Sequence, residues 1–507
     1  MSGPLRFILV VLIPVACAAL VAILYSLFHL RHLQQFMDWD QFAYIGNIES
    51  NLRGGYVVCN PHHLHFEFTG RLFHDFMRAA FGQYGFTDLI FNLRLRSLVA
   101  AGLGLFFLFL FLKEATGRLP WALAGTLAVG FTHGYLSYAD KIDTGIFPAA
   151  AFCLILWVFG RLCRARRGSL FLAFVLGVSL AVGVLMHQFI GFACILVGLV
   201  LALPAFLFRR GEWSAPAEIP ERPALESAID RRWRRRWTVF FIVCLTGVVL
   251  IVAAYFYVGK TYYNLADGDQ GTPARSHGMW RHATLQKWLF TYETADKDTY
   301  RWGTGLSNFY PFYPWRGFTD AFLSHKKVVH YSKDVKFAYH VGDITDPAAL
   351  TENMLAVFTA LTLLGLLIFL PALWRRYGRV FVLLLLCLPV YLVFFTYWEP
   401  HYYEFWILPS IILIVLCVLL FNLWGEKLAL LAGRIGRLPF LAAFAVFLLF
   451  MGAHNVRYYQ APFSRTMIWA GREVMRNRRP QRYSMIEAAP YFRHPGDVYR
   501  ELRPKKK

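Results

Sequence analysis

Three stretches of this 507-residue chain carry side chains able to do proton-transfer and anion-binding chemistry. The first is DWDQFAY (38–44) with NPHHLHF (60–66), which supplies Asp38, Asp40, Tyr44, His62, His63 and His65. The second is SYADKIDTG (137–145), with Asp140, Lys141 and Asp143. The third is YWEPHYYEFWILP (397–409), with Glu399, His401 and Glu404. Carboxylates and imidazoles are the usual groups for general acid–base work, and a lysine adds a cation for an anionic substrate. Each stretch also has a plainer reading. Asp38 and Gln41 have capping-box spacing, which makes Asp38 a helix N-cap and puts Asp40 in the first turn, where an acid suits the helix dipole. Asp40, Tyr44 and Asn47 then share one helical face. Asp140, Lys141 and Asp143 read equally as an ion pair at a helix end. Glu399 and His401 read equally as interfacial residues in a belt of Trp398, Tyr402, Tyr403 and Trp406. His63 and His65 share a face in an extended segment, but two histidines without a fixed third ligand are a weak zinc signal. No metal site is assigned, and a divalent ion has only weak support.

These stretches must be positioned by membrane-spanning elements. The chain is 57% hydrophobic and only 16% charged, against about 25% charged in soluble domains. Eleven apolar segments approach the roughly 20 residues a span needs: 7–28, 97–112, 120–137, 145–160, 169–186, 189–207, 238–258, 353–373, 380–397, 404–423 and 438–453. The first is too long for the core of a secretory signal and reads as a retained span. The fifth and sixth meet at MHQF (186–189), an uncharged hairpin. Six of the eight cysteines fall inside apolar runs, Cys163 sits in a basic loop, and only Cys59 falls in an outer segment, so no disulfide framework is expected.

Arginine sets the orientation. Arg-rich loops at 161–168, 209–237, 375–379 and 425–437 all fall on one side, which is cytoplasmic by the positive-inside rule. The net charge of +21 is therefore a topology signal, with added attraction for anionic lipids at 231–236, and nucleic acid is not an expected partner. The three chemical stretches all fall on the opposite, outer side. So do the long segments 29–96 and 259–352, both aromatic and able to cap the bundle, and the basic tail 454–507. The expected organisation is a transmembrane bundle over 1–453, including the outer segments 29–96 and 259–352 and the inner loop 209–237, followed by that tail. VGKT (258–261) has Ala254 where a phosphate loop needs glycine, and carries no weight.

The apolar runs hold almost no ionisable side chains, whereas ion-coupled transporters keep them near the bilayer midplane. The polar groups gather at outer helix ends. That layout fits an enzyme acting on a lipid-borne substrate at the membrane surface. It also fits a non-catalytic transporter or an assembly subunit for envelope polysaccharide or glycolipid.

The same residues resemble the GT-C superfamily of polytopic glycosyltransferases, which includes the protein O-mannosyltransferases and the lipid A aminoarabinose transferases. DQFAY (40–44) resembles the acidic "DE…Y" start of that family's first outer loop, with Gln41 at the second acid. NPHHLHF resembles its "PPL" element through Pro61 and Leu64. YADKID resembles its acidic loop between the third and fourth spans, and EPHYYEFWILP its late "RY…P" element. The resemblance implies an all-α bundle of about eleven transmembrane helices with juxtamembrane helices in the outer loops. It implies a polyprenyl-phosphate-linked sugar as donor and an acceptor that is protein, glycan or lipid, with the site facing the periplasm of a bacterial inner membrane. Asp40 is then the base, with Asp38 or Asp143 as second acid. Lys141 and His401 are the nearer candidates for the donor phosphate, and Lys260 and Arg281 the weaker ones. Tyr44, His62, His63, His65, Asp140, Asp143, Glu399 and Glu404 line the pocket.

Overall fold

A computed structural model describes residues 11–31, 41, 44–45, 48, 65–165, 169–203, 237–254, 312–323, 347–398, 404–432 and 438–459. The described residues are mostly helical, with no strand among them. The helices are α1 (Ile13–Arg31), α2 (Phe66–Phe81), α3 (Leu89–Thr116), α4 (Leu119–Gly130), α5 (His133–Tyr138), α6 (Ile146–Arg164), α7 (Leu170–Met186), α8 (Ile190–Ala202), α9 (Trp237–Ala254), α10 (Phe312–Phe322), α11 (Pro347–Trp398), α12 (Ile407–Ala432) and α13 (Leu438–Tyr459).

Every expected span overlaps a helix. Six helices are long and apolar enough to cross a membrane, and four shorter apolar ones accompany them. The apolar stretch Met354–Tyr397 has 44 residues, about 65 Å of helix, enough for two crossings of a core about 30 Å thick. It breaks at Gly378, whose φ of 51° and ψ of −126° lie outside helical space and suit only glycine.

Local chemistry sets the helix ends. The Asp88 carboxylate accepts from the Phe91 amide at 2.7 Å and starts α3. Gly117, at φ 73°, ends it, and Lys113 Nζ donates to the Gly117 carbonyl at 2.8 Å. The Ser169 hydroxyl accepts from the Leu172 amide at 3.2 Å and starts α7. The hairpin expected at 186–189 is present: α7 stops at Met186 and α8 begins at Ile190.

Two expected boundaries differ. The second span begins at Leu89 rather than 97, because the helix continues back through Arg94 and Arg96, which hydropathy alone takes for loop residues. Both are buried. The third span, expected over 120–137, stops at Gly130. Irregular backbone at membrane depth needs its carbonyls satisfied from elsewhere. Here the Tyr25 hydroxyl donates to Gly130 O at 3.0 Å, the Thr132 hydroxyl to Val129 O at 2.8 Å, and Asn455 Nδ2 to Phe131 O at 2.6 Å. Asn455 also reaches Phe322 O at 2.6 Å, which ties α13 to the end of α10.

The core lies around α12, which is nearly all buried, whereas α1 and α9 are mostly exposed and lie at the periphery. α3 packs on α1, α4 and α6, and α11 packs on α12 and α8. At the end of the bundle that carries the arginine-rich loops, Glu114 of α3 accepts from Arg161 Nε at 2.9 Å, from Arg164 Nη1 at 3.2 Å and from Trp157 Nε1 at 3.1 Å. Two elements cap the other end. α2 is amphipathic and buries Phe66, Glu67, Gly70, His74 and Met77 on one face. α10 packs on α5, α11 and α12 through Phe318, Ala321 and Phe322. Most of 259–352 and the tail beyond 459 lie outside the described residues.

Candidate active site

The loop after α5 is the centre of the site. Residues 134–149 are buried with almost no break, although SYADKIDTG within them is polar. Asp140, Lys141, Asp143 and Thr144 are each no more than 6% exposed. Charged groups stay at such depth only when other groups satisfy them.

Glu404, just before α12, meets this loop. Thr144 Oγ1 donates to Glu404 Oε1 at 3.1 Å, and Tyr138 Oη donates to Glu404 Oε2 at 3.3 Å. Both carboxylate oxygens therefore accept hydroxyl protons. The approach requires Gly145. A Cβ there would lie 2.8 Å from Glu404 Cγ and 3.0 Å from Tyr138 Cδ1. Asp143 Oδ1 accepts from the Thr144 amide at 2.5 Å, so Asp143 also shapes its own turn. Lys141 Nζ lies 4.4 Å above the Tyr138 ring, a cation–π contact.

The first outer segment meets the same loop through Gln41. Its Oε1 accepts from the Ile142 amide at 3.2 Å. Tyr44 packs tilted against Phe66, with ring centroids 4.6 Å apart, and Phe66 meets Phe147 edge-on at 5.5 Å. Between those rings sits Arg96, with its guanidinium carbon 4.2 Å from the Phe66 centroid and 4.6 Å from that of Phe147. Arg96 Nη1 donates to Phe66 O at 2.6 Å and to Thr69 Oγ1 at 3.2 Å. Gly70 makes room for it: a Cβ there would lie 2.7 Å from that nitrogen.

The α7–α8 hairpin closes the ring of loops. The His65 amide donates to Leu185 O at 3.1 Å. His187 packs on Phe189, with centroids 3.8 Å apart, and lies 6.3 Å from Phe405, next to Glu404. Burial holds the His65 imidazole below its ordinary pKa.

Among the sequence-selected residues, the structure joins the loop of Asp140, Lys141 and Asp143 to Glu404 and, through Gln41 and Tyr44, to the first outer segment. Asp140 points elsewhere. Its Oδ1 lies 4.0 Å from Nδ1 of His29, and neither side chain is exposed. His29 packs at a tilt against Tyr25, with ring centroids 4.6 Å apart, so Asp140 faces α1. Asp38, Asp40, His62, His63, Lys260, Arg281, Glu399 and His401 lie outside the described residues. Sequence reasoning passed over Thr144, Tyr138, His29 and Arg96, and took Gln41 only as a capping residue or a missing acid. Two signals were present: a histidine one residue past the first expected span, and two arginines abutting the second.

Comparison with known proteins gives a fold match only. No family model matches the sequence, and no curated protein matches it. Among solved structures, the chain is similar to ArnT from Cupriavidus metallidurans, crystallised with undecaprenyl phosphate bound. The TM-score is 0.53 at 14% identity, over 96% of this chain and 84% of ArnT. It is also similar to the Archaeoglobus fulgidus oligosaccharyltransferase tethered to an acceptor peptide. There the TM-score is 0.48 at 13% identity, over 93% of this chain and 59% of that one.

Proposed function

We propose that this chain, which has the polytopic GT-C fold, is an inverting glycosyltransferase. It moves a sugar from a polyprenyl-phosphate carrier to an acceptor hydroxyl at the outer face of the membrane. The observation that carries the reading is the meeting of Gln41, Asp143–Thr144 and Glu404 at one end of the bundle. These groups come from three loops far apart in sequence. The undecaprenyl phosphate in the ArnT crystal supports the class of donor.

Asp40, the residue before Gln41, takes the proton from the acceptor hydroxyl. The acceptor oxygen attacks the anomeric carbon opposite the phosphate, and the carbon–oxygen bond to the phosphate breaks with its electron pair on the leaving oxygen. Attack from the opposite face inverts the anomeric centre. A phosphate leaves without much protonation, so one base suffices. Lys141 and His401 stabilise the charge developing on that oxygen, helped by Lys260 and Arg281. Asp38 or Asp143 serves as second acid. Glu404, Glu399, Tyr44 and the histidines at 62, 63 and 65 shape the sugar pocket.

The test begins with lipid extraction and mass spectrometry of the purified chain. A transfer assay with the lipid-linked sugar found there follows. Asp40→Asn should abolish transfer while the protein stays folded. Full transfer by that variant removes the base assignment. If wild type carries no lipid-linked sugar and transfers none, the enzyme reading fails and a transport or assembly role takes its place.

A further inference from the structure

A second site lies at the far end of α12 from the acid cluster. Glu404 stands just before this helix, and Glu426 and Lys427 stand near its other end. From Ile407 to Lys427 the helix rises about 30 Å, the thickness of the hydrocarbon core. There α11 and α12 form an open groove of about 560 Å³, lined by Ile368, Phe369, Pro371, Arg375, Arg376 and Lys427. The floor is apolar and runs into an exposed apolar face of α11 that includes Leu364, Leu367 and Ile368. The rim is cationic. Lys427 Nζ lies 4.8 Å above the Phe369 ring. Arg376 Nη2 donates to Glu426 Oε1 at 3.2 Å, and Arg118 Nη2 lies 3.7 Å from the same oxygen. One carboxylate thus serves two arginines, and Arg375 and Lys427 have no ion pair among the described residues.

We propose that this groove holds the headgroup of an anionic phospholipid, with the phosphate between Arg375 and Lys427 and an acyl chain along Phe369, Ile368 and Leu367. Charge complementarity supplies the anion. The apolar floor, continuous with a lipid-facing helix surface, selects a lipid over a soluble phosphate, which would gain nothing from it. The site lies at the opposite bilayer face from the acid cluster and does not depend on the reaction proposed above.

Native mass spectrometry of the full chain in detergent, titrated with phosphatidylglycerol or with phosphatidylcholine of the same acyl chains, tests it. Wild type should hold one phosphatidylglycerol at least tenfold more tightly than phosphatidylcholine. Each cation at a membrane surface contributes about fivefold, so the double variant Arg375→Ala with Lys427→Ala should weaken that binding roughly 25-fold. Arg375→Lys, which keeps the charge, should retain most of it. Arg71→Ala, at an exposed i,i+4 pair with Asp75 on α2, should leave it unchanged. Equal binding of the two lipids, unchanged binding by the double variant, or displacement by millimolar inorganic phosphate overturns the proposal.

Discussion

The Thr144 hydroxyl donates to Glu404 Oε1 across 3.1 Å and joins positions 260 residues apart. Tyr138 fills the other oxygen at 3.3 Å. Glu404→Ala removes the acceptor of two buried hydroxyls, a cost of about 1–3 kcal/mol for each one left unsatisfied. The variant should melt at a lower temperature and lose sugar transfer by about a hundredfold, since small displacements of positioning groups cost that much. Glu404→Gln keeps one of the two acceptor oxygens and should melt between the Ala variant and wild type while still losing transfer. Thermal unfolding followed by tryptophan fluorescence, beside a transfer assay, separates the two effects. An Ala variant with unchanged melting would remove Glu404 as the joint between the loops.

Gly145 is set by close approach alone. It has no positive φ, and its neighbours leave no room for a methyl group. Gly145→Ala should therefore push Glu404 away from Tyr138 and Thr144 at a cost of about 1–3 kcal/mol. The melting temperature should fall, and transfer should fall further than stability does. Gly82→Ala, where the nearest atoms lie 3.9 Å away, is the matching control and should behave as wild type.

Much of this architecture was legible because spanning a bilayer demands long apolar runs, and each of the eleven runs overlaps a helix among the described residues. Where the reading slipped, tertiary partners had outweighed hydropathy. Arg94 and Arg96 interrupt an apolar window, yet α3 continues through them because Phe66, Phe147 and a backbone carbonyl accommodate the Arg96 guanidinium. The break at Gly130 was hidden because the groups that satisfy its carbonyls, on Tyr25 and Asn455, are remote in sequence. In the site, acid-bearing loops were readable as clusters of residue types. Gln41 looked like a missing acid, whereas its carbonyl holds the Ile142 amide, a role no spacing rule encodes.

Arg96 provides a stability test away from the acids. It is buried against two aromatic faces and donates to the Phe66 carbonyl at 2.6 Å. Arg96→Ala leaves the Phe66 carbonyl without its donor and opens space between the two rings, which should cost about 2–5 kcal/mol. Arg96→Lys keeps the charge but loses the planar fork that stacks on Phe66 and Phe147 while donating to Phe66 O. Its loss should be intermediate. Thermal unfolding of both variants checks the order. If the Lys variant is as unstable as the Ala variant, geometry rather than charge is what Arg96 supplies.

Two histidines near the site set a pH dependence of stability. Burial holds His65 below the ordinary value near 6.5, and burial likewise lowers His74. For His74, the nearby Arg78 adds to the effect, while Asp75 and Asp88 oppose it and are outweighed. Asn92 Nδ2 lies 3.0 Å from His74 Nδ1, a contact that needs the ring nitrogen to accept and so favours the neutral imidazole. Below pH 6.5 the unfolded chain binds protons that the folded chain refuses. Unfolding is then proton-coupled, and stability rises with pH through this window. The stability is fully present above about pH 6.5 and is lost as pH falls toward the lowered folded-state values. Melting temperature should accordingly be flat from pH 8 to 7 and decline from pH 6.5 to 5. His74→Gln with His65→Gln should flatten that decline, and a double variant with the wild-type slope would assign the dependence to other groups.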